Sequence, residues 1–294
     1  MDDAITILLE SQPAHSHEIQ EIRRIGVLVD SFEAVPFIEP LTVIAKQGET
    51  GFALVTPELI AAWVNHLSYG TRYRMRGLEN AVLSELANRR LNPAIALARS
   101  HMEVAAAAAF ALRAITDFAD TGDDTELGRV IYRMLYGTSL TKGPQGWRSR
   151  PSDLEPTRPI QSSKLINSLS DLAGTCGLPG PDGVILLYAA LCDHAHPNFE
   201  GGRAFATVKQ VADGWTYVYG PAERLDFDDL ALVLRSLLLG MRLGHMASLF
   251  ILQGEVVDHG SHVTFEKPDS EIGRLIWDQL ISSPRTGSAD QETP

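Results

Sequence analysis

"PAIALARSHMEVAAAAAFALRAITDF", residues 93–118, decides the fold class. Its first half is apolar on nearly every side apart from Arg99, Ser100, His101 and Glu103. A helix that is apolar all round is a buried helix, so other helices must surround it. The five alanines at 105–109 let one of them approach closely.

The flanking sequence supplies those neighbours. Thr56–Pro57 has the form of an N-cap followed by proline at the first helical position. Leu59, Ala62, Trp63, His66, Leu67, Gly70, Tyr73, Gly77, Leu78, Ala81, Val82 and Leu86 then follow helical spacing. Asn92–Pro93 repeats the start signal for the central helix, expected to run to about Asp117. A third helix opens at Asp124 or Thr125 and ends at Gly137. "SSKLINSLSDLAG" (162–174) and "DSEIGRLIWDQLI" (269–281) read as shorter helices, and Gly180–Pro181 starts another. The run "LALVLRSLLLGMRLGHMASLFIL" (230–252) is long enough for a bilayer, but Arg235, Arg242 and His245 interrupt it on roughly one stripe. Two arginines near the middle of a span are costly, so it is expected to be a central helix of a soluble bundle. Gly240 and Gly244 would then permit close packing.

Strands are expected only at the margins. "AFATVKQVADGWTYVYG" (204–220) reads as a hairpin turning at Asp213–Gly214. "LTVIAKQGETGFALV" (41–55) reads as two short strands, and "EIQEIRRIGVLVDSF" (18–32) as a short helix or a strand. The expected fold class is mainly α, a helical bundle with small β-hairpin appendages. Residues 1–55 form a mixed segment packed on a bundle domain at 56–283, and 284–294 a disordered tail. The loop from about 138 to 162 is rich in Pro, Gly and Ser, and loops of that length are commonly mobile or functional.

Composition narrows the function classes. The chain has 294 residues and a formal net charge of −12, which argues against protein-wide affinity for nucleic acid. Local basic stretches are Arg72, Arg74 and Arg76, and the loop bearing Lys142, Arg148, Arg150, Arg158 and Lys164. The Arg148, Arg150 and Arg158 stretch is the candidate RNA contact. The opening "MDDAITILLESQ" lacks the basic region of a secretory signal. Cys176 and Cys192 lie in apolar helical contexts that suit reduced thiols. The expectation is a cytoplasmic chain with no membrane partner and no cofactor.

The chemistry-bearing residues sit inside the apolar helices. Arg99 and Glu103, four apart, share one face. In "LYAALCDHAHPNFEGG" (187–202), Asp193 and His196 lie on one side of a helix, while His194 points about 160° away from His196. Buried charges need partners, so the two helices are expected to pack with Arg99 facing Asp193 and Glu103 facing His196. That cluster is the candidate catalytic set, or else a network that fixes helix register. A metal site would draw on Glu103, Asp193, His196, His101 or His245, but no "HExxH", paired Glu-x-x-His or Cys–Cys zinc spacing is present. No Walker loop, Rossmann glycine pattern, nucleophile elbow or kinase set appears. The aspartates of "TGDDTEL" and "DFDDLAL" begin helices, where capping explains them.

"ALARSHMEVAAAAAFAL" (96–112), followed by "LYAALCDHAHPN" (187–198), resembles uncharacterised, mostly bacterial helical proteins of the broad HEPN-like group. The resemblance spans about residues 57–200. It implies a helical bundle that dimerises, in a group rich in RNA-cleaving toxins and defence or stress components. HEPN ribonucleases carry an arginine, then four to six residues, then a histidine on one helix. No histidine here has that spacing, Arg242 and His245 coming nearest with two residues between them. The expected function is therefore binding or regulatory, with a nuclease-like or metal-dependent hydrolase using Glu103, Asp193 and His196 as the alternative.

Overall fold

A computed structural model describes residues 2–31, 57–136, 159–178, 181–195, 206–219, 227–259, 263–268 and 270–280. Nine α-helices and two separate two-stranded antiparallel ladders are present among them. The chain is a mainly α-helical bundle.

Helix α1 (Asp2–Ser11), a 3-10 turn (Pro13–His15) and α2 (Ser16–Ser31) come first. Residues 18–31 are thus helical rather than a strand, because Ile19, Ile22, Ile25 and Val29 form one buried stripe at three- and four-residue spacing. The two strands expected at 41–55 lie outside the described residues, as do most of the 138–162 loop and the 284–294 tail.

Helices α3 (Pro57–Ala87) and α4 (Leu91–Thr121) each span 31 residues, about 45 Å. They are joined through Asn88–Arg90. Helix α5 (Asp124–Tyr136) follows Gly122, which at φ 70° ends α4 with its N–H on the Phe118 carbonyl. Then come α6 (Ser162–Thr175), α7 (Pro181–Ala195), α8 (Phe227–Gln253) and α9 (Ser270–Leu280).

Helix α4 touches α3, α5, α6, α7 and α8, as its all-round apolar surface requires. Its Ile95, Met102 and Ile115 are fully buried, each contributing about 1.5–3 kcal/mol. One core joins α1, α2, α3, α4, α6, α7, α8 and, through Ile276, α9; a second, around Trp63, Ile115, Phe118 and Ile131, lies toward α5. The N-terminal helices share the first core through Ile5, Leu8, Ile22 and Ile25. Helices α4 and α8 are long and apolar enough to cross a bilayer. In the bundle, 56% and 72% of their most apolar stretches are buried.

Three local expectations differ from the structure. On α3 the buried side carries Met75, Glu79, Val82, Leu83 and Leu86, with Ser68, Thr71 and Arg72 above them, while His66, Gly70, Tyr73 and Gly77 are exposed. Polar residues inside the buried stripe displaced the apparent apolar face. Helix α7 is not buried all round, since Ile185 and Leu186 face outward. In the hairpin β1 (Ala206–Val211) and β2 (Gly214–Tyr219), Val211 pairs with Gly214. The loop is therefore Ala212–Asp213, one residue earlier than expected, with Gly214 at φ 148° opening the second strand. A further hairpin, β3 (Glu255–Asp258) and β4 (Val263–Glu266), packs against α3 and α4. Its strands are too short to announce themselves by alternation.

Candidate functional site

Helices α4 and α7 meet as expected, but through a different residue. Arg99 Nε lies 3.3 Å from Glu103 Oε1, and Tyr188 of α7 donates its hydroxyl to the same oxygen at 2.7 Å. The Arg99 guanidinium also sits 5.9 Å from the centroid of the Tyr188 ring, within cation–π range. Both members of the Arg99–Glu103 pair are about one-third exposed. Burial, and then donation to Glu103, push the Tyr188 pKa up to about 12.

Asp193 does not join this group. It is exposed, and Arg99 turns to Glu103 and the tyrosine ring instead. The cause is helical geometry: five residues place Asp193 about 140° around α7 from Tyr188. The α4 pair, four residues apart, closes on itself. His196 lies outside the described residues. Its neighbour His194 serves α8, with Nε2 3.1 Å from Asp229 Oδ1 and Nδ1 2.8 Å from the Ala190 carbonyl oxygen.

The fully buried ionic centre lies elsewhere, between α3, α4 and α8. Glu79, His101 and His245 are each 0% exposed. His245 Nε2 is 2.6 Å and His101 Nε2 3.2 Å from Glu79 Oε1. A carboxylate only accepts, so each imidazole donates its Nε2–H. The two Nδ1 atoms are buried without a hydrogen-bond partner. Arg76 Nη1 donates to Glu79 Oε2 at 2.7 Å and the same guanidinium binds Asp30 of α2. Burial alone would raise the Glu79 pKa. Attraction to His245 and the hydrogen bonds from both histidines outweigh it and hold the carboxyl well below its usual 4.5.

A second ionic tie flanks the first. Glu21 of α2 accepts from Arg24 at 2.7 Å and from Arg242 of α8 at 2.7 Å. The Arg24 bond is the main cause of a Glu21 pKa held down to about 2. Arg242 and His245 therefore face inward, whereas Arg235 of the same expected stripe is exposed.

The expected metal ligands are thus divided. His101 and His245 bind Glu79 in the core, Glu103 binds Tyr188 on another side of α4, and Asp193 is exposed. Among the described residues, no group of three or more His, Cys, Asp and Glu side chains is arranged to hold a metal ion. Neither cysteine is in a disulfide, and burial raises the Cys176 thiol to about 11.

Beside Glu103, a cleft of about 380 Å³ opens between α3, α4, α5 and the start of α6. Leu67, Val104, Met134, Leu135, Ile160 and Leu165 give it apolar walls, and Arg74, Arg133 and His66 line it with Glu103. The volume falls in the range of small-molecule pockets. The basic stretch on α3 divides here. Arg72 binds the Val29 carbonyl and Arg76 binds Glu79 and Asp30, while Arg74, about 160° round the axis from Arg72, turns to the cleft.

No family model, no curated protein and no solved structure matches this chain.

Proposed function

We propose that the chain is a binding or regulatory helical bundle that does not turn over a substrate. The observation supporting this reading is the state of Glu103. Its Oε1 already accepts from Tyr188 and Arg99, so that oxygen is engaged in tying α7 to α4 before any substrate arrives. The Glu79 group, the other place where acid and imidazole converge, is sealed from solvent. Membership of the HEPN-like group, a bacterial defence or stress role and a homodimeric state belong to the same proposal and rest on the sequence resemblance alone, while a cytoplasmic location rests on the acidic opening and the two cysteines in apolar helical contexts.

The test is incubation of the purified protein with mixed RNA, with and without Mg²⁺ or Mn²⁺. The expected result is intact RNA throughout. Cleavage that disappears in folded Glu103→Ala and His196→Ala proteins would overturn the proposal in favour of the nuclease-like alternative.

A further inference from the structure

We infer that the cleft between α3, α4, α5 and α6 binds a small organic anion, a carboxylate or phosphate ester carried on an apolar body. This names the ligand class of the binding role proposed above and rests on that role.

Charge selects the sign of the ligand. The whole chain carries −12, yet the cleft presents the guanidinium of Arg74 beside one carboxylate, Glu103; Arg133, also in the lining, acts on Glu126 of its own helix and is left out of the balance. Tyr188 and Arg99 already occupy one oxygen of that carboxylate, which draws its charge toward α7. Arg74 is exposed, and among the described residues no acidic side chain pairs with it. A guanidinium has planar donors suited to carboxylate or phosphate oxygens.

The walls select the body of the ligand. Leu67, Val104, Met134, Leu135, Ile160 and Leu165 supply apolar contact beside the hydroxyls of Thr71 and Ser162, so the lining suits a ligand with both an apolar and a polar part. An apolar group gains there by burial. Gly70 sits at the same wall, and a Cβ built on it would meet no atom within 4 Å. The missing side chain leaves that space open.

The probe is phenyl phosphate, followed by isothermal titration calorimetry on the full chain. Benzoate, inorganic phosphate and benzyl alcohol serve as comparison arms. The first separates a carboxylate from a phosphate head; the other two remove the body or the charge. Phenyl phosphate or benzoate should bind at least about tenfold more tightly than inorganic phosphate or benzyl alcohol, and Arg74→Gln should weaken that binding by at least about tenfold. Arg235→Gln, a change at an exposed arginine on α8, should leave it unaltered. Gly70→Leu should abolish binding without lowering the thermal midpoint, because leucine favours a helix over glycine. Equal binding by wild type and Arg74→Gln, inorganic phosphate matching both aryl anions, or no binding by either aryl anion would overturn the inference. RNA cleavage by the wild-type protein that disappears in folded Glu103→Ala and His196→Ala would instead overturn the binding role itself, so the two failures are separate readings.

Discussion

His245 Nε2 lies 2.6 Å from Glu79 Oε1, across 166 positions of sequence and with both side chains sealed from water. The bond joins α8 to α3, and His101 adds α4 at the same oxygen. Three helices thus share one carboxylate. A buried charge tolerates this only while its partners stay in place, so the contact fixes how the helices stand against one another.

Removing that carboxylate should therefore be severe. Glu79→Ala takes the acceptor from two buried imidazoles and one of the partners from Arg76, which keeps Asp30, and should destabilise the fold by about 3–5 kcal/mol in urea unfolding at pH 7. Glu79→Gln keeps an acceptor for the histidines and should lose less. A loss below about 1 kcal/mol in the alanine protein would show that the network does not hold the bundle.

Acid should weaken the fold through two carboxylates. Glu21 is held to about 2, chiefly by its bond from Arg24, and Glu79 well below 4.5. A depressed folded-state pKa stabilises above the unfolded value and loses that contribution as pH falls toward the folded one. Stability should thus decline as pH drops from about 4.5 toward 2, Glu21 alone accounting for roughly 3 kcal/mol of it. Urea midpoints measured from pH 7 to pH 2 report this directly, and Glu21→Gln should flatten the slope. An unchanged slope in that protein removes Glu21 from the account.

The glycines of α8 and α3 should respond in opposite directions. A Cβ on Gly244 would stand 2.8 Å from the Ala105 Cβ and 3.0 Å from its Cα, and one on Gly240 2.7 Å from His101 Nδ1. Gly244→Ala meets backbone that cannot swing aside, so it should lose about 1–3 kcal/mol. Gly77→Ala meets nothing within 4 Å on an exposed side of α3 and should gain about 0.5–1 kcal/mol. Thermal midpoints of the two proteins falling on the same side of wild type would contradict this packing.

What could be read from the residues follows from the range of the interactions. The central helix was legible because its apolar surface is continuous, and the Arg99–Glu103 pair because four-residue spacing closes locally. Its third member was not, since Tyr188 lies 85 positions from Glu103 within a run that reads as plain apolar. Glu79 gave a local signal only in part. It stands four residues after Met75 and three before Val82, on the buried side, but its imidazole partners are 22 and 166 positions away. The assumption that a buried stripe is apolar turned the reading of α3 toward Tyr73 and Gly77. The Asp193 expectation failed by rotation: the tyrosine, not the aspartate, is on the side of α7 that meets α4.

Tyr188 offers a spectroscopic check on that contact. Of the seven tyrosines in the chain, this one is pushed up to about 12 by burial and by its bond to Glu103. A phenol raised in the folded state favours folding while it stays protonated, so its contribution is complete below pH 10 and is lost as pH rises toward 12. Ultraviolet difference titration should show a tyrosine ionising near pH 12 in the wild-type protein and lacking in Tyr188→Phe. The substitution removes one hydrogen bond to a charged acceptor and should destabilise by about 1.5–3 kcal/mol, reduced at the low end because Glu103 keeps Arg99 and some water. If the phenylalanine protein retains the late-titrating signal, the hydroxyl at Glu103 is not the one responsible, and the link between α4 and α7 must run through other atoms.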